Sequence, residues 1–422
     1  MSDRIIISPR NMVSGRLTVP GSKSYAQRAI ALAALVEDSV EIEDMTICDD
    51  VKAAMDIIET LGVELSQRGD RYVFHGAFDK SKEHSINCGE AGLSTRLFSA
   101  FSLMTDYSFQ VMGRGSILKR PMDMVIDALT QAGKNIKSYV GKLPLVIDGH
   151  ADNFLLSIDG SSSSQLLTGL LIVSPFLGKD VTIRVSNLKS TPYIDMTLEI
   201  MRSFGLTVNH QEYETFQIRS FQEINPSKIY SVEGDWSAAS FFVVAGLIGG
   251  VINISGLNKD SLQADKLILD VVDLVGGRFT WKGGDLIIER ATLYPFKFDA
   301  TNCPDLFPPL AVLAAMTDGT SEINGVHRLK HKESDRSSAL IKELSKLGVS
   351  IKVINDSLVI EGSAAAEYVK GGEVSSHNDH RMAMALALMS FRSSGDIIIS
   401  GASSINKSYP NFYKDFISLT KI

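Results

Sequence analysis

Residues Pro121–Gly133 read PMDMVIDALTQAG, and this pattern, repeated along the chain, decides the fold. Apolar residues recur at helical spacing, which predicts an amphipathic helix, and a final glycine commonly ends a helix in the left-handed conformation. Four further copies are Asp50–Gly62, Ile194–Gly205, Ala264–Gly276 and Asp335–Gly348. The closing glycines stand at positions 62, 133, 205, 276 and 348, so they are 71 or 72 residues apart. A sixth copy is expected at the end of the chain, over residues 409–422.

A second type of helix precedes each of these copies and is apolar on every side, which is typical of a helix buried in a core. Its six copies begin at Arg28, Thr95, Gln165, Ala239, Phe307 and Arg381. Short β-like runs fill the gaps between helices. The sequence therefore predicts six repeats of one unit: strand, buried helix, strand, surface helix and closing strands. Because a helix buried on all sides needs neighbouring units around it, three units per domain are expected.

The length of 422 residues is too great for one ordinary core, so two domains are expected. The last repeat stops after its surface helix, whereas the strand-like run Arg4–Ser8 has no repeat of its own. We therefore expect residues 1–20 to return to the C-terminal half. This gives one discontinuous domain of residues 1–20 plus 232–422 and one continuous domain of residues 21–231.

Composition narrows the class of protein. Hydrophobic residues make up 44% of the chain and charged residues 22%, as in a soluble globular protein. The net charge of −7 argues against nucleic acid or an anionic membrane as a partner. No apolar run reaches membrane-spanning length, and no signal peptide is expected at the start of the chain. Any anion site must therefore be a local cluster of cations.

Cysteine and histidine spacing points to the cytosol and to no metal site. Cys48, Cys88 and Cys303 form no CxxC pair and imply no disulfide framework, so a cytoplasmic location is expected. His377 and His380 have no carboxylate or thiol partner at the spacing of metal ligands. The sequence thus predicts neither structural disulfides nor a bound metal.

Polar and cationic residues collect at the predicted helix starts. Before the buried helices they occupy residues 20–28, 90–96, 161–165, 233–237, 302–305 and 378–381, and before surface helices residues 113–120, 330–336 and 406–408. Helix N-termini offer free N–H groups and a positive dipole end, which suit phosphates and carboxylates. Arg381 in the first turn of its helix costs roughly 0.3–1 kcal/mol. Such cations repel the helix start unless an anion neutralises them, so the sequence predicts multiply charged anionic ligands.

Each motif also has a simpler structural explanation. Gly21–Ser24 lacks the upstream glycine of a P-loop and suits an ordinary helix cap. Ser161–Ser164 suits a solvated turn, and Asp305 after a proline suits an N-cap. Glu333 and Arg336 suit a surface pair at i,i+3. The occurrence of all of them at helix starts, in phase with one repeat, favours a shared function.

The ordered motifs resemble those of the EPSP synthase family of enolpyruvyl transferases. They are PGSKSYAQRA from Pro20, EAGLSTR from Glu90, LKRPM from Leu118, SSSQLLTGLL from Ser162, STPYIDMT from Ser190, VEGDWSAAS from Val232, PDLFPPLA from Pro304, KHKESDR from Lys330, NDHRMAMALAL from Asn378 and NKSYP from Asn406. The resemblance runs from about residue 5 to residue 413. It implies an α/β (α+β) fold, a two-domain inside-out α/β barrel of six βαβαββ-type units, with the active site in the inter-domain cleft.

The resemblance also implies an activity. The family transfers the enolpyruvyl group of phosphoenolpyruvate to the 5-hydroxyl of shikimate 3-phosphate and releases phosphate, in the shikimate pathway to chorismate and the aromatic amino acids. It uses no metal or organic cofactor and is the target of glyphosate. The expected partners are the two small-molecule substrates, with no nucleic acid and no membrane, and a monomer is expected.

The roles implied for individual residues follow the motifs. The shikimate 3-phosphate ligands are expected to be Lys23, Ser24, Arg28, Ser163, Ser164, Gln165, Ser190, Asp305 and Lys332. The phosphoenolpyruvate ligands are expected to be Lys23, Gly92, Arg120, Gln165, Arg336, Arg381 and Lys407. Asp305 resembles the base for the 5-hydroxyl and Glu333 the acid for the methylene carbon, roles that they exchange on elimination, while Lys23 assists the leaving phosphate.

The chain departs from the family pattern at four positions. Glu90 and Leu93 stand in a segment that commonly reads Asn-Ala-Gly-Thr, which puts an extra acid beside the expected phosphoenolpyruvate pocket and leaves glyphosate sensitivity open. Thr191 replaces a common lysine, and Arg328 stands where some members have asparagine.

Two other functions are weighed against this one. A UDP-N-acetylglucosamine enolpyruvyl transferase usually carries a cysteine in the loop that matches Gly113–Arg120, and this loop has none. A non-catalytic repeat protein that binds an anionic metabolite has no need for both Asp305 and Glu333. Release of phosphate on mixing the two expected substrates separates all three functions.

Overall fold

The structure is a computed structural model of the chain, and it describes residues 3–222, 224, 229–330, 332–365 and 367–421. His331 of the KHKESDR motif lies outside the described residues, as do the outermost residues 1, 2 and 422 of the expected discontinuous domain. Among the residues that are described, no helix is long and apolar enough to cross a membrane.

The strands in chain order are β1 Arg4–Ile7, β2 Met12–Thr18, β3 Val40–Glu43, β4 Glu64–Arg68, β5 Arg71–His75, β6 His84–Asn87, β7 Phe109–Met112, β8 Asn135–Tyr139, β9 Lys142–Asp148, β10 Leu155–Asp159, β11 Val181–Ser186, β12 Asn209–Gln211, β13 Thr215–Ile218, β14 Ile229–Ser231, β15 Gly250–Ser255, β16 Arg278–Lys282, β17 Asp285–Glu289, β18 Lys297–Asp299, β19 Gly319–Asn324, β20 Ser350–Ile354, β21 Ser357–Gly362, β22 Gly372–Ser375, β23 Ile397–Ser400 and β24 Thr420–Lys421.

The α-helices are α1 Lys23–Ala33, α2 Asp49–Thr60, α3 Gly92–Ser99, α4 Asp123–Gln131, α5 Gln165–Val173, α6 Thr191–Ser203, α7 Trp236–Gly249, α8 Ile268–Leu274, α9 Phe307–Ala315, α10 Arg336–Lys346, α11 His380–Leu388 and α12 Phe412–Leu419. Short 3-10 helices cover Ala100–Met104, Gly115–Lys119, Ser174–Phe176, Ala264–Leu267, Pro304–Leu306, Val326–Leu329 and Ala402–Lys407.

The chain divides into two compact units. We call Gly21–Glu233 the middle unit, and Met1–Pro20 together with Gly234–Ile422 the split unit. That either unit folds as an independent domain stays a prediction.

The middle unit contains three four-stranded sheets with one topology. In two of them a parallel pair, β6 with β7 or β10 with β11, is followed by two antiparallel strands, in the orders β6-β7-β9-β8 and β10-β11-β13-β12. In the third sheet, β14 occupies the place of the first strand, parallel to β3, because the preceding N-terminal strands belong to the split unit. Each sheet is therefore one repeat of the predicted unit.

The split unit repeats this plan and completes it with the N-terminal segment. β2 pairs in parallel with β15, and β18 pairs in parallel with β19. The last repeat has β22 parallel to β23, and β1 lies antiparallel on the other edge of β23, with Ile5 opposite Ile399. β1 thus supplies the closing strand that the last repeat lacks.

Two helix types alternate as the sequence predicts. The copies α1, α3 and α5 are buried and pack together in the middle unit, and α7, α9 and α11 do the same in the split unit, with sheets on their outer sides. The glycines at 62, 133, 205, 276 and 348 follow the surface helices with φ between 77° and 101°, a conformation that glycine adopts without a Cβ clash.

Several helix boundaries differ from the expected ones; the buried helices α1, α3 and α7, for example, begin three to five residues before the expected starts. The copy predicted at Ala264–Gly276 begins as a 3-10 turn, and α8 starts only at Ile268. The last copy ends at Leu419 and continues as β24, which pairs antiparallel with β2 at Val13 and Thr420. Here strand pairing satisfies the backbone groups of the final residues, and an amphipathic pattern in the sequence cannot reveal that partner.

Candidate active site

The starts of three helices in the middle unit are tied together by Arg28. Its guanidinium donates to the Ser24 carbonyl at 2.7 Å, to Thr197 Oγ1 at 2.9 Å and to the Tyr193 carbonyl at 3.1 Å. A further N–H reaches Thr168 Oγ1 at 3.4 Å, so α1, α5 and α6 all contact this buried side chain. The structure gives Arg28 a structural role, and its expected direct contact with a substrate stays a prediction.

Gly92 opens α3 at the point where two arginines and a glutamine meet. A Cβ at this position would lie 2.6 Å from Arg120 Nη1, 3.2 Å from Arg96 Nη1 and 3.6 Å from Gln165 Oε1. Arg96 Nη1 donates to Gln165 Oε1 at 3.0 Å. Three expected phosphoenolpyruvate residues, Gly92, Arg120 and Gln165, are therefore neighbours in the middle unit, and only a glycine leaves the Arg120 guanidinium its present place.

The remaining expected residues of the middle unit also lie at helix starts. Lys23 begins α1, and its Nζ forms an ion pair with Asp50 at 2.8 Å. Ser163 Oγ accepts from the backbone N–H of Gln165 at 3.2 Å, and Ser164 is buried next to it. Ser190 precedes α6 in the left-handed conformation, with φ of 59°.

Glu90 is turned toward the loop that follows β7. Its carboxylate accepts from the backbone N–H of Ser116 at 3.1 Å and contacts the position that a Cβ on Gly115 would occupy. The side chain thus caps the 3-10 helix Gly115–Lys119. A carboxylate at the start of such a turn is favourable because the free N–H groups of the turn point toward it.

In the split unit, Arg336 is the centre of a charge network. The guanidinium is 1% exposed and donates to Asp379 Oδ2 at 2.8 Å, to Asp305 Oδ1 at 2.6 Å and to Glu333 Oε2 at 2.5 Å. The expected base and the expected acid therefore contact the same arginine. An isolated i,i+3 surface pair, the simpler explanation of Glu333 with Arg336, does not describe this buried network.

Asp305 is surrounded by cations. Arg381 Nη2 lies 3.0 Å from Asp305 Oδ2, and Lys332 Nζ lies 3.6 Å from Oδ1. Burial alone would raise the pKa of Asp305, but Arg381, Lys332 and Arg336 together hold it well below its ordinary value. Asp305 lies in the 3-10 helix Pro304–Leu306, and its carboxylate is committed to these cations rather than to a simple N-cap.

The expectation that these cations repel the helix starts needs correction. At the start of α11, Asp379 accepts from the backbone N–H of Arg381 at 3.0 Å, and Asp305 pairs with the Arg381 side chain. Three carboxylates, Asp305, Glu333 and Asp379, therefore neutralise the cations within the protein itself. The sequence could not reveal this because Asp305 is more than 70 residues before α11.

Lys407, the last expected cation of the split unit, lies beside the same network. Its Nζ donates to the carbonyl oxygen of Asn378 at 2.7 Å, and Asn378 immediately precedes Asp379. The structure therefore brings Asp305, Lys332, Glu333, Arg336, Arg381 and Lys407 together on one side of the split unit.

Three site residues were missed at the level of sequence. Arg96 contacts Gln165, and its spacing of four residues from Gly92 on one helix face could have indicated this. Asp379 serves Arg336 as well as capping α11. Asp265 accepts from the hydroxyl of Ser237 and is 2% exposed; burial first, and then the charge of Asp305, raise the pKa of Asp265 to about 7. No local signal distinguishes Asp265 from other acids at the start of a surface helix.

The site and the fold define a class: a protein of six α/β repeats whose helix starts carry arginines, lysines and two carboxylates that share one arginine. Such cations suit anionic ligands. Solved structures share this fold. The chain matches an EPSP synthase from Acinetobacter baumannii with a TM-score of 0.82 and 23% identity, covering 100% of this chain and 98% of that one. It also matches the enolpyruvyl transferase NikO from Streptomyces tendae with a TM-score of 0.79 and 17% identity, covering 100% and 98% of the two chains.

Sequence comparison identifies the family. The family model for EPSP synthase (3-phosphoshikimate 1-carboxyvinyltransferase) matches residues 7–416. A 3-phosphoshikimate 1-carboxyvinyltransferase from Clostridium novyi is 35% identical over 98% of this chain and 97% of its own length. Another from Clostridium acetobutylicum is 36% identical over 96% of this chain and 95% of its own length. The chain belongs to the EPSP synthase family.

Membership settles the fold and the reaction class expected from sequence. The mixed α/β fold of six repeats is confirmed, and the chain is an enzyme that catalyses enolpyruvyl transfer in the shikimate pathway. The comparisons support this function over UDP-N-acetylglucosamine enolpyruvyl transfer and over a non-catalytic anion-binding role.

Proposed function

We propose that the enzyme joins C2 of phosphoenolpyruvate to the 5-hydroxyl oxygen of shikimate 3-phosphate. In the addition step the hydroxyl loses its proton, the C–O bond forms and the methylene carbon gains a proton, giving a tetrahedral ketal. In the elimination step the methyl group loses a proton and the C–O bond to phosphate breaks, which restores the enol double bond. The chemistry thus needs a proton acceptor and a proton donor that exchange roles.

We assign the acceptor to Asp305 and the donor to Glu333. The single observation that carries this assignment is the contact of both carboxylates with Arg336, at 2.6 Å and 2.5 Å. When two carboxylates contact the same guanidinium, one of them can lose a proton while the other gains one, because charge is redistributed through the shared arginine. A protein that only binds anions would not need its binding arginine to be occupied by two carboxylates of its own.

The arrival of an anionic substrate explains how these acids become reactive. Phosphoenolpyruvate carries a carboxylate and a phosphate, and planar guanidinium groups bind both in a bidentate manner. When such a ligand takes donors from Arg336 and Arg381, Asp305 and Glu333 lose cationic partners. The pKa of Asp305 then rises, because burial is no longer outweighed by these cations. Asp305 becomes a stronger base, and Glu333 is released from its contact with Arg336.

We assign ligand roles separately in each unit. In the middle unit, shikimate 3-phosphate is bound by Lys23, Ser24, Arg28, Ser163, Ser164, Gln165 and Ser190, and phosphoenolpyruvate by Lys23, Gly92, Arg120 and Gln165. In the split unit, Asp305 and Lys332 contact shikimate 3-phosphate, and Arg336, Arg381 and Lys407 contact phosphoenolpyruvate. Support comes from the placement of most of these residues at or shortly before helix starts, where free N–H groups favour anions; Arg28, in the second turn of α1, is an exception.

Lys23 is proposed to assist the leaving phosphate. Its ammonium group is held 2.8 Å from Asp50, which fixes its position before substrate binds. A cation beside the breaking C–O bond stabilises the negative charge that develops on phosphate. A cytosolic, monomeric enzyme without metal or organic cofactor is the corresponding biological proposal.

Release of inorganic phosphate tests the function. The enzyme, mixed with phosphoenolpyruvate and shikimate 3-phosphate, should release one phosphate for each enol ether formed, and omission of either substrate should stop release. Phosphate release with UDP-N-acetylglucosamine but not with shikimate 3-phosphate would overturn the proposal. Binding of both substrates by a chain that releases no phosphate would overturn the acid–base assignment.

A further inference from the structure

The segment Ser376–Asp379 connects β22 to α11 and has an unusual backbone. His377 has φ of 53° and Asn378 has φ of 56°, so two consecutive residues other than glycine adopt the left-handed conformation. Such residues are strained, and they persist only where surrounding contacts hold them. Strain of this kind is concentrated at functional sites, which makes the contacts of this segment informative.

The segment contacts all three residues whose cations the split unit is proposed to contribute to phosphoenolpyruvate binding: the side chains of Lys407 and Arg336, and the backbone of Arg381. The Asn378 carbonyl accepts from Lys407 Nζ at 2.7 Å. The Asp379 carboxylate accepts from Arg336 Nε at 2.8 Å and from the backbone N–H of Arg381 at 3.0 Å. A small rotation of the backbone at His377 or Asn378 would therefore move the acceptors of the Lys407 and Arg336 cations and the cap that holds the backbone of Arg381.

Glu343 of α10 contacts the beginning of this segment. Its side chain is fully buried, with Oε1 2.7 Å from Nε2 of His377 and Oε2 accepting from the backbone N–H of Ser375 at 3.0 Å. Burial alone would raise the pKa of Glu343, but hydrogen bonds from Lys346, His377 and the Ser375 N–H lower it overall. The carboxylate is thus a charged anchor for Ser375 and His377, the residues on either side of Ser376.

A simpler explanation is that His377 only satisfies a buried carboxylate. Lys346 Nζ lies 2.6 Å from Glu343 Oε2, so this carboxylate already has a cationic partner as well as the backbone N–H of Ser375. The imidazole contact is an additional one, made by a residue in a strained conformation one position before the carbonyl that binds Lys407. The Glu343 carboxylate would have hydrogen-bond partners even if His377 did not adopt the left-handed conformation.

We propose that Glu343 and His377 are positioning residues for phosphoenolpyruvate: their contact fixes Asn378 and Asp379, which in turn orient Lys407, Arg336 and Arg381. This inference rests on the proposed assignment of those three cations to phosphoenolpyruvate. Neither Glu343 nor His377 touches substrate. Their effect is on the Michaelis constant for one substrate, through the geometry of the groups that bind it.

The test is His377→Asn, because asparagine tolerates the left-handed conformation but cannot supply the imidazole contact. We expect KM for phosphoenolpyruvate to rise about five- to twentyfold, since small misplacements of binding groups have large kinetic effects. KM for shikimate 3-phosphate and kcat should each stay within about twofold of the parent values. This is the expected pattern when a substitution weakens binding of the ground state and of the transition state equally. Glu343→Gln should act in the same direction, and the double variant should be no worse than the more affected single variant.

Two reference variants make the result decisive. His150 forms a contact of the same 2.7 Å with Asp106 but is exposed in the middle unit, so His150→Asn should change neither constant. Arg381→Lys tests the underlying assignment, and it should raise KM for phosphoenolpyruvate. If Arg381→Lys has this effect and His377→Asn does not, the positioning inference is wrong. If neither has it, the assignment of the cations is wrong; a proportional fall of kcat with both KM values unchanged would show a merely structural His377.

Discussion

Nη2 of Arg381 lies 3.0 Å from Oδ2 of Asp305, and this contact changes the physical meaning of a cation at a helix start. Arg381 stands in the first turn of α11, where the helix dipole disfavours positive charge. Asp305 supplies the compensating charge before any ligand is present. A substrate anion that binds Arg381 must therefore compete with a carboxylate of the protein, and that competition couples binding to the basicity of Asp305.

Asp305→Asn removes the proposed base while keeping the size of the side chain and one oxygen acceptor for the arginines. We expect kcat to fall by roughly 10²–10⁴, the range for general acid–base catalysis, with smaller changes in KM. Steady-state phosphate release measures this. Asp285→Asn is the matched control, because that carboxylate is similarly exposed, at 16% against 18%, and also pairs with an arginine. A kcat within threefold of the unsubstituted enzyme would contradict the role of Asp305.

Glu333→Gln removes the proposed proton donor. Arg336 keeps Asp305 and Asp379 as partners, so the folded state should lose less than the roughly 3–5 kcal/mol of a buried charge left without a partner. The fall in kcat should again be roughly 10²–10⁴.

Glu333→Asp tests whether the rate depends on the carboxylate group itself or on the length of the side chain that carries it. It keeps a carboxylate but shortens the side chain by one methylene group, so it should recover part of the lost rate. Equal rates for the Gln and Asp variants would show that the carboxylate at 333 carries no proton. The half-exposed Glu373, changed to glutamine, provides a control that should leave the rate unaltered.

Gly92→Ala tests the crowding around the Arg120 guanidinium. The new Cβ would lie 2.6 Å from Arg120 Nη1, and the flexible end of that side chain must move away. Because the moved atom belongs to a flexible side chain, we expect little loss of stability but a KM for phosphoenolpyruvate raised by about tenfold. Gly69→Ala is no suitable control because Gly69 has a positive φ; Ala91→Gly, at the neighbouring position, tests for a general effect of the loop. An unchanged KM in Gly92→Ala would place phosphoenolpyruvate away from Arg120.

The pH dependence of stability should report Asp265. The pKa of this buried carboxyl is raised, by burial first and by Asp305 second, from 3.8 to about 7. A raised pKa means that the folded state prefers the protonated acid. The free energy of unfolding should therefore fall as pH rises from about 4 to 7, and it should change little above pH 7. Asp265→Asn removes this penalty. The variant should match the unsubstituted protein at pH 4 and exceed it at pH 7 by a few kcal/mol at most, since one pKa unit corresponds to about 1.4 kcal/mol.

Urea unfolding at several pH values measures the difference. Asp270→Asn serves as the control because this residue lies five positions further on, in α8, and is exposed, so its substitution should give no pH-dependent gain. A loss of stability for Asp265→Asn that is constant from pH 4 to pH 7 would show that the acid is ionised in the folded state and needed in that form.

The repeat architecture could be predicted from sequence because its signals are local. Each closing glycine, such as Gly133, follows its helix within a few residues. The composition of an apolar helix such as α5 is enough to predict that the helix is buried. The place of the strand-like run near the N-terminus could also be predicted from sequence. The last repeat lacks a strand and this run belongs to no repeat, so the two are expected to pair. β1 against β23 realises that pairing.

The charge network could not be predicted because its partners are distant in sequence. Arg336 contacts Asp305 and Asp379, which lie 31 and 43 positions away from it. Motif resemblance names such residues but does not say that they pair with one another in the absence of substrate. For the same reason sequence does not show that the Asp379 carboxylate serves both the α11 start and the Arg336 side chain.

Arg381→Ala distinguishes repulsion from ion pairing at the α11 start. If the dipole alone acted on Arg381, the substitution would relieve roughly 0.3–1 kcal/mol of repulsion, and the ligand-free variant would be at least as stable as the parent. The side chain is buried, however, and it neutralises Asp305. Breaking a fully buried pair costs about 3–5 kcal/mol, but Asp305 keeps Arg336 and Lys332, so we expect a net loss of about 1–2 kcal/mol.

Three measurements on Arg381→Ala should agree. KM for phosphoenolpyruvate should rise while KM for shikimate 3-phosphate changes little, because the lost guanidinium is assigned to the former. Urea unfolding at pH 7 should show the loss of stability, whereas Arg4→Ala, which removes a half-exposed pair with Glu373, should cost under about 1 kcal/mol. The lowered pKa of Asp305 means that its ion pairs add stability above its unfolded pKa and that this stability is lost as pH falls through the folded pKa. The difference in unfolding free energy between Arg381→Ala and the parent should therefore become smaller below about pH 4. If the ligand-free variant is as stable as the parent at pH 7, repulsion rather than ion pairing dominates at this helix start.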